Sequence, residues 1–402
     1  MGLKILFAMR DALPPFRVDV KILFGKYLFD KGISTHLVGR SKSQNLSPIV
    51  WNAGDVSVSA TDGEGIIKTF YCMLLESWFL LLYGRTADII QVRDRIRLLP
   101  AAWLSSFLWN KPFVYWVSFP IVEGYELSWQ SLKGASKLKS FAFMLRYKLA
   151  NWFFYKLLPK TANLIFVQSE AMKREMASRG FSIAKMHAVP MGVDLEMFSE
   201  PVAKPHLACD DDSFVLGYLG SISKARQSDF LLDVLLAASC KIQNIKLLII
   251  GDGVTESDRV WLREEIGRKG LQGKVEISGW MPQLEGISLL ASVDVGLSPI
   301  PRGKLFDVSS PTKAVEYLAC GIPCVGNDIP DQQLVINQSA AGLCVPMTVE
   351  SFVSAIEILY SDKNKLHVMS VNAKNYVRNN RNYNVISHSI FKCYQNLLSV
   401  CK

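Results

Sequence analysis

Val308-Ser309-Ser310-Pro311-Thr312-Lys313-Ala314-Val315-Glu316-Tyr317-Leu318-Ala319-Cys320-Gly321-Ile322-Pro323 reads as one fully punctuated helix. A serine ahead of it can cap the first turn, Pro311 suits that turn, Gly321 lies just past its end and Pro323 follows. Val315, Leu318 and Ala319 share one face and should pack on a sheet, while Lys313 and Glu316, three residues apart, share another. The bland reading of that second pair is a surface ion pair of little worth. An aliphatic run, Val293–Leu297, precedes the helix across the loop Ser298–Asp307, and a second run, Cys324–Gly326, follows it. The local unit is strand, helix, strand. Such a helix starts at the carboxyl end of the strand before it, where its free N–H groups can meet an anion such as a diphosphate.

The same rhythm extends outward along the chain. Upstream lie Phe214–Leu219, Lys246–Ile250 and Val275–Ser278, each followed by a plausible helix. The first half repeats the pattern with Leu3–Met9, Ser34–Val38, Ile89–Val92, Phe113–Val117 and Leu164–Val167. Near-continuous apolar strands alternating with helices predict α/β architecture with parallel sheets covered on both faces. The divide falls after Val189–Asp194, in Glu196–Asp212, which carries Pro201, Pro205 and Asp210-Asp211-Asp212 but little periodicity. Two Rossmann-like domains, 1–195 and 196–380, are expected to face each other across a cleft that would hold the ligand.

Composition narrows the class. In 402 residues, half are hydrophobic and 20% charged, which suits sizeable cores and excludes both a small disulfide scaffold and a disordered chain. The net charge of 45 − 36 = +9 is unevenly spread. Residues 1–195 carry 25 basic and 14 acidic side chains (+11), and residues 196–402 carry 20 and 22 (−2). The basicity of the first half points to an anionic partner there. The eight cysteines form no CxxC and read as small buried hydrophobes in a reducing compartment. Met1–Met9 reads as a first strand, not a signal peptide. The longest apolar stretch, Phe70–Tyr83, is broken by Glu76 and falls short of the ~20 residues of a membrane span.

Pro311-x-Lys313-x-x-Glu316-Tyr317-x-Ala319-x-Gly321-x-Pro323 resembles the donor-binding segment of retaining glycosyltransferases of the GT-B fold, the large family 4 of group 1 transferases. Further segments resemble that family in the right order. Phe166-Val167-Gln168-Ser169-Glu170 is similar to its entry into the last helix of the first domain, and Val189-Pro190-Met191-Gly192-Val193-Asp194 to its domain junction. Gly217-Tyr218-Leu219-Gly220 with Lys224 and Arg226 resembles the first strand and basic loop of the second domain, and Leu248-Ile249-Ile250-Gly251-Asp252-Gly253 its second strand and turn. Gln91-Val92-Arg93-Asp94 and Tyr115-Trp116-Val117-Ser118-Phe119-Pro120 look like a branch found in bacterial surface-polysaccharide clusters.

The resemblance implies residue roles. Glu316 matches the second acid of the family's Glu-x7-Glu pattern, which hydrogen-bonds the donor ribose; the first acid falls on Val308, with Asp307 adjacent. Arg226, with Lys224 as the competing choice, matches the basic pair that neutralises the donor diphosphate, a task suited to a guanidinium. Lys313, and more weakly Lys304, are further phosphate or sugar candidates. Gly220 would admit phosphate close to the backbone, and Gly251, Ser310, Pro311 and Thr312 complete the expected donor site. Arg226, Lys313 and Glu316 are the expected catalytic set, with no metal and no cofactor beyond the donor. Family members often place a histidine after a strand like Phe113–Val117, but here the place reads Ser118-Phe119-Pro120-Ile121-Val122-Glu123, and the histidines are 36, 187, 206, 367 and 388. Ser118, Glu123 and Arg17 are therefore the acceptor-side candidates, Arg17, with Arg10 as its alternative, because the loop after the first strand has no glycine to cradle phosphate. By resemblance the last helix, within 381–402, returns to the first domain.

Two patterns are set aside. Asp210-Asp211-Asp212 contains Asp-x-Asp but reads as a solvated acidic turn, and Gly251-Asp252-Gly253 is not a dinucleotide fingerprint. Between Glu126 and Glu170 there are seven basic residues, no acid and many aromatics, so the segment 133–160 is either an anionic-membrane contact or a packed helix with snorkelling lysines. No recognition module for nucleic acid accompanies the charge. The expected function is glycosyl transfer with retention, from a nucleoside diphosphate sugar to a glycan or polyprenyl-linked acceptor. The setting would be surface-polysaccharide synthesis, in the cytoplasm or on the inner face of its membrane. A nucleotide-sugar epimerase or hydrolase and a non-catalytic partner subunit are the alternatives.

Overall fold

The computed structural model describes residues 2–41, 49–61, 65–132, 137–198 and 213–400. The linker's 199–212, including Asp210-Asp211-Asp212, and Lys133 lie outside the described residues. Two compact units form: Met1–Pro190 together with Tyr383–Lys402, and Met191–Asn382. The boundaries thus fall five residues before the 195/196 division and two after the 380/381 division read from sequence.

The first unit is built on seven strands, β1 (Leu3–Met9), β2 (Ile33–Ser41), β3 (Gly54–Thr61), β4 (Ile89–Arg93), β5 (Phe113–Val117), β6 (Leu164–Val167) and β7 (Met186–Ala188). They lie in the order β3-β2-β1-β4-β5-β6-β7 and pair in parallel throughout, with Ile5 opposite Thr35 on one side and Ile89 on the other. Every residue of β4 and β5 is buried, which requires helices on both faces. The helix Tyr383–Val400 supplies part of that cover. Its Tyr383, Ile386, Ile390 and Tyr394 pack with Ile5, Phe7, Phe24 and Trp116, and the Tyr394 hydroxyl donates to Gln91 Oε1 at 2.5 Å.

The second unit has six strands, β8 (Phe214–Leu219), β9 (Ile245–Ile250), β10 (Val275–Ile277), β11 (Val295–Ser298), β12 (Cys324–Gly326) and β13 (Gly342–Cys344), in the order β10-β9-β8-β11-β12-β13. All pairs are parallel. Counted from β8 this is the Rossmann order 3-2-1-4-5-6. The expected α/β class with two Rossmann-like parallel sheets is what the chain adopts.

The punctuated helix forms over Thr312–Cys320 and ends on Gly321 at φ +79°, where a side chain would be strained. Its start differs from the reading above. Pro311, not a serine, occupies the N-cap, and no side chain caps the helix. Ser310 is turned inward: its Oγ donates to Asp331 Oδ2 at 2.6 Å and accepts from Met191 N–H at 2.9 Å. Asp331 in turn holds Arg381 at 2.8 Å, so the serine is bound into a buried polar network. The cysteines also divide: Cys72 and Cys324 are buried, whereas Cys240 is exposed at the end of the helix Asp229–Ser239. No helix among the described residues is long and apolar enough to cross a membrane.

Candidate functional site

Strand order reverses once in each sheet, between β8 and β11 and between β1 and β4. Chains leave such a point in opposite directions and open a crevice at the strands' carboxyl ends. In the second unit that crevice is a cavity of about 710 Å³. The loops after β8, β9 and β10 and the first turns of the helix Thr312–Cys320 form its walls.

Glycines let these loops approach. Gly220 has φ +139° and Gly251 φ +148°, and a Cβ on Gly251 would sit 2.1 Å from the Gly220 carbonyl oxygen. Gly220 N–H donates to Ile250 O at 2.9 Å, and Gly251 N–H to Ser278 Oγ at 3.1 Å, so three strand ends are tied together. Tyr317 fixes the helix from below. Its hydroxyl donates to Leu297 O at 3.0 Å and accepts from Leu219 N–H at 2.8 Å. The ring lies where a Cβ on Gly296 would be, 2.4 Å from its Cδ2, so only glycine admits it.

Cations stand on this floor. Lys313 Nζ lies 4.1 Å from the centroid of the Tyr218 ring. Burial resists ionisation of the Tyr218 hydroxyl, but the charges of Lys313 and Arg226 outweigh it and hold its pKa below that of a free tyrosine. Arg226 lines the cavity, whereas Lys224 does not: its Nζ is 5.5 Å from the Trp261 ring centroid. Of the two competing basic residues, Arg226 is the one in the cavity wall. Arg259, not singled out in the sequence, is a third cation in the wall, paired with Asp252 at 2.8 Å and Glu256 at 2.7 Å. Thr312 and Glu316 line the cavity too. Enclosure raises the Glu316 pKa, while a hydrogen bond from Gln283 Nε2 at 3.3 Å and the Lys313 charge oppose that rise. Trp280, 81% exposed, stands at the wall.

Two of the expected donor residues lie elsewhere. Ser310 is held by Asp331, and Pro311 is the N-cap; neither lines the cavity. Asp307, next to Val308, binds Arg302 at 2.9 Å and accepts from Gly303 N–H at 3.0 Å.

The other switch point, in the first unit, has a different chemistry. Arg93, 1% exposed, meets Asp19 at 2.5 Å, Asp11 at 3.6 Å and Asp94 at 3.9 Å. Arg17 lies on the rim, 3.5 Å from Asp19. Asp94 takes the left-handed conformation, φ 53°, and accepts from Ser118 N–H at 2.9 Å and from the Ser118 hydroxyl. Burial raises the Asp94 pKa against the opposing pull of Arg93 and Ser118. Glu123 is not part of this cluster; it accepts from the Tyr155 hydroxyl and from Arg179, each at 2.6 Å. Among the described residues no group of three or more His, Cys, Asp or Glu is placed to hold a metal ion.

Residues 213–362, nearly all of the second sheet and its helices, match the family model described as glycosyl transferases group 1. The match lies wholly within the second unit and covers less than half of the chain. Two curated relatives carry related sequence. One is an uncharacterized glycosyltransferase of Methanocaldococcus jannaschii, 28% identical over 175 residues, which are 42% of this chain and 38% of the relative. The other is the UDP-Gal:alpha-D-GlcNAc-diphosphoundecaprenol alpha-1,3-galactosyltransferase of Escherichia coli, 24% identical over 209 residues, 49% of this chain and 51% of the relative. The matched regions thus span about half or less of those proteins' lengths. Among solved structures, Anabaena HepE in complex with UDP aligns over 98% of this chain and 100% of its own, with a TM-score of 0.71 at 16% identity. That likeness is one of fold, and the fold is GT-B. The cavity of the second unit lies within the matched residues.

Proposed function

We propose that the chain is a glycosyltransferase that takes a nucleoside diphosphate sugar into the cavity of the second unit and passes the sugar to an acceptor hydroxyl. The observation that carries this is the meeting of Arg226, Lys313, the free N–H groups at Thr312 and the Glu316 carboxylate in one cavity. Helix N–H groups with a guanidinium and an ammonium suit the two phosphates, and Glu316 suits the ribose hydroxyls. Trp280 offers an aromatic face to the base, and the uridine nucleotides of the relatives make UDP the first choice.

The chemistry would then be carried by charge and position. As the bond from the anomeric carbon to the diphosphate breaks, negative charge grows on the leaving oxygen, and Arg226 and Lys313 stabilise it there. The departing diphosphate takes the acceptor proton on the same face, so the sugar is transferred with retention and neither a protein nucleophile nor a metal is needed. The acceptor would be a glycan or a polyprenyl-linked sugar in cell-surface polysaccharide synthesis, handled at the cytoplasmic side of a membrane, with Arg17 and Ser118 on the acceptor side.

The test is binding of UDP, GDP, ADP and their sugars to wild type and to Glu316→Ala. Selective binding that the substitution weakens supports the donor site; no binding by any of them sinks it. A non-catalytic subunit is the second reading, favoured by Val308 at the first-acid position and by the engagement of Asp307 with Arg302. Nucleotide binding without sugar release to any acceptor would favour that reading.

A further inference from the structure

The crossovers from β3 to β4, from β4 to β5 and from β5 to β6 all advance the same way across the first sheet. Right-handed connections therefore put their helices on one face of it. Two of these helices, Ile66–Gly84 and Leu99–Trp109, are locked together. Ser105 Oγ donates to Leu80 O at 2.6 Å, Trp109 Nε1 donates to Leu81 O at 2.8 Å, and a Cβ on Gly84 would be 2.2 Å from Ser105 Oγ. They form a rigid slab.

The outer side of that slab is apolar. Along the first helix Tyr71, Leu74 and Trp78, spaced three and four apart, are 57%, 51% and 59% exposed. On the second, Trp103, Phe107 and Leu108 are 44%, 74% and 55% exposed. A soluble surface seldom presents so many large side chains together. Cations outnumber solvent-reaching acids along the described residues of the slab. The acids within residues 65–111 are Glu76, Asp88 and Asp94. Glu76 is buried and held by Arg95 at 2.9 Å, Asp94 is buried, and Asp88 accepts from Lys4 N–H at 2.8 Å. Lys68, Arg85, Arg97 and Lys111 all reach solvent. Exposed aromatic and aliphatic side chains on elements that also carry solvent-reaching cations are what an anionic bilayer surface takes up: the rings enter the interface and the cations meet the headgroups.

We propose that the face of helices Ile66–Gly84 and Leu99–Trp109 docks this protein on an anionic lipid bilayer. This assigns the contact to a different part of the first unit from the 133–160 segment, and it does not depend on what the second unit binds. The test is co-sedimentation of the full chain with phosphatidylcholine vesicles, with and without phosphatidylglycerol, for wild type and Trp78→Glu/Phe107→Glu. Wild type should pellet with the anionic vesicles, less so as salt rises, and the double variant should bind at least about tenfold more weakly. Leu74→Ser/Leu108→Ser is the milder substitute if the first variant does not fold, and UDP binding measured in parallel reports on the second unit alone. The proposal is overturned if wild type ignores both vesicles, or if folded double variant binds like wild type while Phe141→Glu does not. It is also overturned if wild type is a dimer in lipid-free buffer that the substitutions split, which would assign the face to a second copy.

Discussion

The two units share a strand order through six strands and reverse it at the same place, yet they furnish that place in opposite ways. After β8 and β9 the chain turns on Gly220 and Gly251, which bring backbone to backbone and leave a cavity lined by Arg226, Lys313 and Arg259. After β1 it runs Arg10-Asp11-Ala12-Leu13-Pro14-Pro15 with no glycine, and the crevice is filled by a buried arginine among three aspartates. One sheet leaves an open cavity with three cations in its lining. The other already holds its own counter-ions: Arg93 is taken up by Asp19, Asp11 and Asp94, and Arg17 by Asp19. The same topology therefore fixes where a site can be, while loop composition decides what it accepts.

Substitutions can break that contrast. Arg93→Ala should have the largest effect, about 3–5 kcal/mol off the stability of the first unit, because three carboxylates lose the charge that holds them together. Urea unfolding followed with nucleotide binding would show the second unit unharmed; a change below ~1 kcal/mol would mean that the cluster is solvated. Gly251→Ala should cost the second unit about 2–3 kcal/mol and abolish nucleotide binding, since its Cβ meets the Gly220 carbonyl oxygen and its φ is +148°. Next, Lys313→Ala should weaken UDP binding roughly tenfold in calorimetry and let the Tyr218 hydroxyl titrate at higher pH, whereas Ser118→Ala in the first unit should leave UDP affinity unchanged.

The smallest effect separates the units by pH. Burial lowers the pKa of His36, with Lys4 assisting and Asp55 opposing, and of His187, with Lys173 assisting and Glu170 opposing; both belong to the first unit. Between the lowered folded values and the ordinary ~6.5 the unfolded chain binds more protons, so stability falls as pH falls through that window. The melting transition of the first unit should move down between about pH 7.5 and about 5.5. Replacing both histidines with glutamine should flatten the shift; an unchanged slope would place its source elsewhere.

Much of this was legible in the residue order because strands buried on both faces are continuous apolar runs. Leu3–Met9, Phe113–Val117, Leu164–Val167, Phe214–Leu219 and Cys324–Gly326 are strands over the residues read from sequence. β3 falls outside such runs because Gly-Asp-Val-Ser-Val-Ser-Ala-Thr alternates polar and apolar at a sheet edge, and β7 and β13 because Met-His-Ala and Gly-Leu-Cys hold no β-branched residue. In the cavity, Gly220, Arg226, Gly251, Thr312, Lys313 and Glu316 sit in the segments whose family resemblance implied them. Tyr218, Arg259, Trp280 and Gln283 carry no such implication, since they gain meaning only where loops distant in sequence meet. Ser310 and Glu123 show the converse: their chemistry is spent on Asp331 and on Tyr155 with Arg179.

The Tyr317 hydroxyl has one more consequence. Ladder pairing of β8 with β11 is limited to Leu216 with Val295 and Gly217 with Gly296, and the next groups up, Leu219 N–H and Leu297 C=O, meet the phenol instead of each other. The ring works as a keystone: it keeps the two strands parted above it while satisfying both of their polar groups. A crevice held open this way is a property of the empty protein, so a ligand entering it has no strands to separate, and Tyr317→Phe, by orphaning both groups, would let the seam close or drift.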